Sequence, residues 1–139
     1  YFGPVAVGGT YFVQILEINS VVLISGLAPG FLSVALLAVN NLRDADTDAK
    51  VGKKTLAVKF GKTFTKFEYL ISIMIAGGIP FFIQSSGRPW FASLVCIFTL
   101  PAIMKIFHEE DSTELIKALE ITGKVMLFYG FAFSIGVLL

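Results

Sequence analysis

Between positions 40 and 48 the chain reads Asn40-Asn41-Leu42-Arg43-Asp44-Ala45-Asp46-Thr47-Asp48, a run of closely spaced carboxylates bordered by Arg43, Lys50, Lys53 and Lys54. If this stretch is helical, Asn40, Asp44 and Asp48 recur every four residues on one face, and Asp46 points elsewhere. Carboxylates held this close repel one another, so a chain that keeps them at a membrane boundary calls for a compensating cation. Oxygen donors suit a hard ion such as Mg²⁺, which takes few carboxylates and leaves its other positions to water and substrate phosphate. Asp44 and Asp48, with Asn40 on the same face, are the candidate metal ligands. Arg43 offers paired donors, and Lys50, Lys53 and Lys54 offer point charges, for the phosphate oxygens that remain. Such a set would stabilise the charge on a departing diphosphate, and ionisation of an allylic diphosphate is the reaction that most needs it.

Other readings of the same residues are weaker. A calcium loop also uses Asp-x-Asp-x-Asp, but it needs glycine and glutamate where this chain has Ala49 and Thr55. Lys59, Lys62 and Lys66 are expected to orient the protein in a membrane. Glu109, Glu110, Asp111 and Glu114 read as a solvated helix start, with Asp111 and Glu114 spaced as a capping box. The single histidine, His108, and the single cysteine, Cys96, leave no Cys/His metal set and no internal disulfide. Glu17 and Lys124 are expected to snorkel to the membrane interface.

The elements that must position the acidic run are apolar. Of the 139 residues 55% are hydrophobic and 15% charged, and the mean hydropathy is +0.80, which marks an integral membrane protein. A crossing helix needs about 20 mainly apolar residues. Five segments approach this: Tyr1 to Glu17, Val21 to Asn41 with an interruption at Pro29-Gly30, Phe67 to Gln84, Trp90 to Phe107, and Glu120 to Leu139. Hairpin connections are expected at Asn19-Ser20 and from Ser85 to Pro89, and the last helix is expected to begin near Ser112, ahead of the bilayer. The expected fold is therefore all-α, a polytopic transmembrane bundle. Most of the 11 basic residues lie from Arg43 to Lys66; Lys105, Lys117 and Lys124 fall on the same side and only Arg88 falls opposite. Positive residues favour the cytoplasm, which puts the Asp-rich segment on that side and the C-terminus outside. The chain opens on Tyr1, part-way into an apolar run, and is expected to be cut short at its N-terminus.

The pattern Asn40-Asn41-x-Arg43-Asp44-x-x-x-Asp48-x-x-x-Gly52-Lys53-Lys54-Thr55-Leu56-Ala57-Val58, followed by Phe60-Gly61, resembles the second aspartate-rich motif of the UbiA-type membrane prenyltransferases. Within that superfamily it most resembles the 1,4-dihydroxy-2-naphthoate polyprenyltransferases of menaquinone synthesis. Phe2-Gly3-Pro4-Val5-Ala6-Val7 resembles the span that precedes the motif. The resemblance implies about nine helices around a cavity, of which residues 1–139 would be a single membrane domain forming the C-terminal part and supplying five spans. It implies Mg²⁺ at Asp44 and Asp48, and support of metal or diphosphate by Asn40, Asn41, Arg43 and Lys53. The first motif of the family, Asn-x-x-x-Asp-x-x-x-Asp, is absent from this sequence, so these residues are not expected to act alone.

The reaction implied is transfer of a polyprenyl group from polyprenyl diphosphate to 1,4-dihydroxy-2-naphthoate, with loss of CO₂. The implied partners are those two substrates and the lipid bilayer of the cell inner membrane, with no nucleic acid. Two alternatives stand beside it: a UbiA-type enzyme with another acceptor, such as 4-hydroxybenzoate or homogentisate, and a membrane transporter with an acidic cation entrance.

Overall fold

The computed structural model describes residues 1–83, 87–108 and 111–139, and every regular element among them is helical. Helix α1 spans Pro4–Ile15 and α2 spans Ser20–Lys50. A short α3, Leu56–Phe60, leads into α4, Lys62–Gly78, which tightens into a 3₁₀ turn at Ile79–Phe82. Helix α5, Phe91–Val95, passes through a second 3₁₀ turn, Cys96–Thr99, into α6, Leu100–His108, and α7 runs from Ser112 to Leu138. All five apolar segments are helical over most of their described residues. Among the described residues three helical runs are long and apolar enough to cross a membrane: Ser20–Lys50, Phe91–His108 and Ser112–Leu138. The other two are shorter, with 12 residues in α1 and 17 in α4.

Several boundaries differ from expectation for local reasons. Leu16 takes a left-handed conformation, with φ of 60°, and ends α1, so the first connection is Leu16 to Asn19. The Asn19 side chain accepts a 2.9 Å hydrogen bond from the Val22 amide and caps α2. Pro29 does not interrupt α2, which runs through it for 31 residues. Helix α4 begins five residues before Phe67, directly after Gly61, whose φ of +88° suits glycine. Gln84, Ser85 and Ser86, expected in the third span and its hairpin, lie outside the described residues. Helix α7 does begin at Ser112, but the Asp111 side chain makes no capping hydrogen bond. Glu114 instead bonds Lys105 of α6 and Lys117, so the expected capping box is replaced by an ion-paired clasp between two helices. Lys124 likewise pairs with Glu120, at 2.5 Å.

The core follows helical spacing. Buried Ala28, Leu32, Ala35, Val39 and Leu42 alternate four- and three-residue steps along α2, a seam that suits close packing with α4 and α7. Against it lie Tyr69, Ile73 and Ala76 of α4 and Leu115, Ala118 and Tyr129 of α7. Two buried hydroxyls tie these helices. Thr122 Oγ1 donates to Ala118 O at 2.8 Å, which spends its one proton, so the 2.8 Å contact with Tyr69 Oη has Tyr69 as donor. Tyr129 Oη donates to Ala76 O at 3.0 Å.

At the other end, α1 meets α2 backbone to backbone. A Cβ on Gly26 would lie 2.8 Å from Pro4 Cα, and one on Gly3 would lie 2.6 Å from Gly26 O. Gly26 and Gly30, one turn apart, form the small-residue surface that lets membrane helices approach this closely. Large apolar side chains such as Leu37, Phe98, Met104 and Phe131 remain well exposed, as expected of surfaces that face lipid or neighbouring helices.

Candidate functional site at the end of the second helix

Helix α2 is about 46 Å long, well beyond a hydrocarbon core of about 30 Å, so its polar last turns extend past its apolar stretch. The helix continues through the whole acidic run and stops only at Lys50. On a helical projection Asn40, Asp44, Asp48 and Asn41 fall within an arc of about 100°. Asp46 falls on the opposite side. Exposure agrees with this: the Asp46 side chain is 77% exposed and that of Asp48 10%. Asn41 and Asp48 are buried, and Asn40 and Asp44 are half-buried.

Each aspartate meets a cation. Arg43 Nε donates to Asp44 Oδ1 at 2.7 Å and Nη2 donates to Asp44 Oδ2 at 2.8 Å, a two-pronged pair. The same Nη2 donates to Asn40 Oδ1 at 2.9 Å. These hydrogen bonds from the Arg43 guanidinium hold the Asp44 carboxyl below the ordinary carboxylate range, with a smaller contribution from the Lys53 charge. Lys53 Nζ lies 3.1 Å from each Asp48 oxygen. It makes a hydrogen bond with Oδ1 only, and Oδ2 is buried without one. Asp46 pairs with Lys62 at 3.0 Å, which joins the end of α2 to the start of α4 and gives Lys62 a structural partner that sequence did not suggest. Lys50 and Lys54 are exposed near the end of the helix.

The segment after α2 shows why its residues are what they are. Gly52 has φ of +74°, a turn open to glycine at low cost. The Lys53 amide donates to Asp48 O at 2.9 Å, which folds the chain back and brings the Lys53 side chain to Asp48. Thr55 Oγ1 accepts from the Val58 amide at 3.4 Å and caps α3, whose Ala57 is buried. Gly-Lys-Lys-Thr-Leu-Ala-Val is thus a turn, an ion pair, a cap and a packing residue in succession.

Asn40 also lines an apolar groove of about 620 Å³ that runs down α2 past Leu37, Leu36, Ser33 and Phe31 to Gly30 and Phe2, with Leu119 and Met126 of α7 beside it. Sequence reasoning does not find this groove. Its one legible signal is the Gly26-x-x-x-Gly30 spacing that seats Gly3 and Pro4 at its far end. Sequence reasoning also passes over Glu68 of α4, whose Oε2 is buried without a hydrogen bond.

The donor set fits a hard cation: carboxylate and amide oxygens share one face, and one carboxylate oxygen is buried with no hydrogen bond of its own. It does not complete a site. Among the described residues no three His, Cys, Asp or Glu side chains are grouped so as to hold a metal ion. The arrangement therefore sets a few oxygen donors of that kind beside an apolar groove that Asn40 lines.

Residues 1–134 match the model of the UbiA prenyltransferase family. The chain is similar to a protein of Mycobacterium tuberculosis named 1,4-dihydroxy-2-naphthoate octaprenyltransferase, at 38% identity over 95% of this chain and 46% of that protein. It is similar to a protein of the same name from Haemophilus influenzae, at 30% identity over 100% of this chain and 46% of that protein. Human UbiA prenyltransferase domain-containing protein 1 is 25% identical over 99% of this chain and 40% of its own length. No solved structure matches significantly. The chain spans about half the length of the curated relatives it matches. With helices able to cross a membrane, an acidic helix end of this composition and a family match over nearly its whole length, the chain belongs to the UbiA prenyltransferase family.

Proposed function

We propose that this chain forms part of a Mg²⁺-dependent enzyme that transfers a polyprenyl group from polyprenyl diphosphate to 1,4-dihydroxy-2-naphthoate, giving the quinol form of demethylmenaquinone, CO₂ and diphosphate. The observation that carries this reading is the position of Asn40, which lines the apolar groove and is hydrogen-bonded to the Arg43–Asp44 pair. A diphosphate head at the polar end of α2 and an isoprenoid tail along the groove would make one continuous substrate. The names of the bacterial relatives favour the naphthoate acceptor.

Asp44 and Asp48, with Asn40 and Asn41, would hold the metal, and the buried Asp48 Oδ2 is the oxygen most in need of it. When bound, the ion supplies positive charge for the diphosphate as the allylic carbon–oxygen bond breaks. Arg43, Lys50, Lys53 and Lys54 add charge and donors for the phosphate oxygens. The apolar groove keeps water from the allylic carbon while the acceptor ring carbon bonds to it, and the ring carboxylate then leaves as CO₂. The reading requires a complementary acidic motif outside these residues. It also places the Asp-rich helix end on the cytoplasmic face of the inner membrane, on the strength of the basic residues around it.

Acceptor identity is tested by incubating the intact protein, in lipid nanodiscs with Mg²⁺ and a polyprenyl diphosphate, with equal amounts of 1,4-dihydroxy-2-naphthoate, 4-hydroxybenzoate and homogentisate. The expected result is prenylated, decarboxylated naphthoquinol as the main product by mass spectrometry. Preferential prenylation of either other ring would overturn the acceptor assignment and leave the family reaction standing.

A further inference from the structure

The oxygens that would receive the metal are held by the protein's own cations. Arg43 bonds both carboxylate oxygens of Asp44, at 2.7 and 2.8 Å, and the side-chain oxygen of Asn40, at 2.9 Å. Side chains at successive helix positions diverge, so Arg43 must bend round the helix to reach Asp44. Lys53 lies 3.1 Å from both oxygens of Asp48. A guanidinium cannot bond these oxygens and the oxygens of a diphosphate with the same donors. Arg43 and Asp44 are about one-third exposed, at 29% and 31%, so the pair sits where it can exchange partners with a ligand arriving from water.

We propose that Arg43, assisted by Lys53, is a displaceable counter-cation: it occupies the oxygens of Asp44 and Asn40 until a divalent cation takes them, and only then turns its Nε and Nη2 donors to a diphosphate. This rests on the metal reading given above and goes beyond it, because Arg43 becomes a competitor of the metal as well as a ligand of the substrate. Its consequence is order. Metal arrival releases the donors that capture diphosphate, so each ligand tightens the other, as linkage requires.

The test measures Mn²⁺ binding to the intact protein by electron paramagnetic resonance, with and without inorganic pyrophosphate, for the parent and for Arg43→Gln and Arg43→Lys. Circular dichroism melting confirms that each variant is folded. Loss of three charge-assisted bonds predicts Mn²⁺ binding tighter by roughly tenfold in Arg43→Gln. Arg43→Lys keeps the charge but cannot span both carboxylate oxygens and Asn40, so binding tighter by roughly threefold is expected. Pyrophosphate should tighten Mn²⁺ in the parent more than in either variant. Arg43→Lys indistinguishable from the parent would reduce the effect to net charge and overturn the exchange, as would weaker Mn²⁺ binding in Arg43→Gln or undiminished coupling to pyrophosphate. If the parent takes up no Mn²⁺ under any condition, the metal site itself fails and the exchange with it, an outcome distinct from a metal site that ignores Arg43.

Discussion

Replacing Asp48 with asparagine separates a functional carboxylate from a structural one. The substitution keeps shape and removes charge from a side chain that is 10% exposed and paired with Lys53. The ion pair holds a lysine whose side chain is 57% exposed, so its loss should cost about 0–1 kcal/mol. Against this stands relief at Oδ2, a charged oxygen buried without a hydrogen bond, whose desolvation costs on the order of 1 kcal/mol or more. The two effects oppose each other. Net stability should change by less than about 1 kcal/mol, which is a melting shift within about 4 °C. Catalysis has no such offset. Removing one electrostatic contact to the developing charge typically lowers turnover by about 10²–10³. The assay is prenyl transfer at saturating Mg²⁺ alongside thermal melting of the same nanodisc preparation. Turnover within threefold of the parent would refute the metal-site reasoning, and a collapse of melting temperature that accounts for the lost activity would make Asp48 a structural residue.

Other predictions address the scaffold and its pH response. A double-mutant cycle of Tyr69→Phe and Thr122→Val, read by thermal melting, should give a coupling of about 1 kcal/mol, because the buried donor and acceptor satisfy each other. Gly26→Leu should destabilise the protein by about 1–3 kcal/mol through overpacking against the Pro4 backbone, whereas Gly9→Ala, with open space around its Cβ, should not. Glu114 lies in the first turn of α7, ahead of its apolar stretch, and hydrogen bonds from Lys105 and then Lys117 hold its carboxyl below the ordinary value of 4.5. Its contribution is therefore full above the unfolded value and is lost as pH falls through the lower folded one. Acid melting curves of Glu114→Gln should accordingly lose part of the drop that the parent shows below about pH 4.5.

The legible part of the fold was what composition and local spacing control. Apolar runs marked all five helical segments, and the four-residue spacing of Asn40, Asp44 and Asp48 placed them on one face with Asp46 apart, as the structure has them. The start of α7 at Ser112 was legible; its chemistry was not, because Glu114 is won by lysines on two sides, one of them on a different helix. Pro29 reads as a break in sequence, yet the α2 seam packs on both sides of it and the helix continues. Long-range pairings such as Asp46 with Lys62 and Tyr69 with Thr122 leave no local trace. The groove depends on how closely Gly3 approaches Gly26 and Gly30, which spacing alone suggests only in retrospect.

Metal-dependent prenyl transfer at the polar end of α2 is the activity proposed for this family member. It is tested most directly by mass spectrometry of products from the intact protein, a polyprenyl diphosphate and 1,4-dihydroxy-2-naphthoate, after chelation and after Mg²⁺ is restored. No prenylated product is expected in chelator, recovery is expected with Mg²⁺, and none when Asp44 and Asp48 are both replaced by asparagine. Product formed at the parent rate in the chelated protein, or by the doubly substituted one, would contradict it.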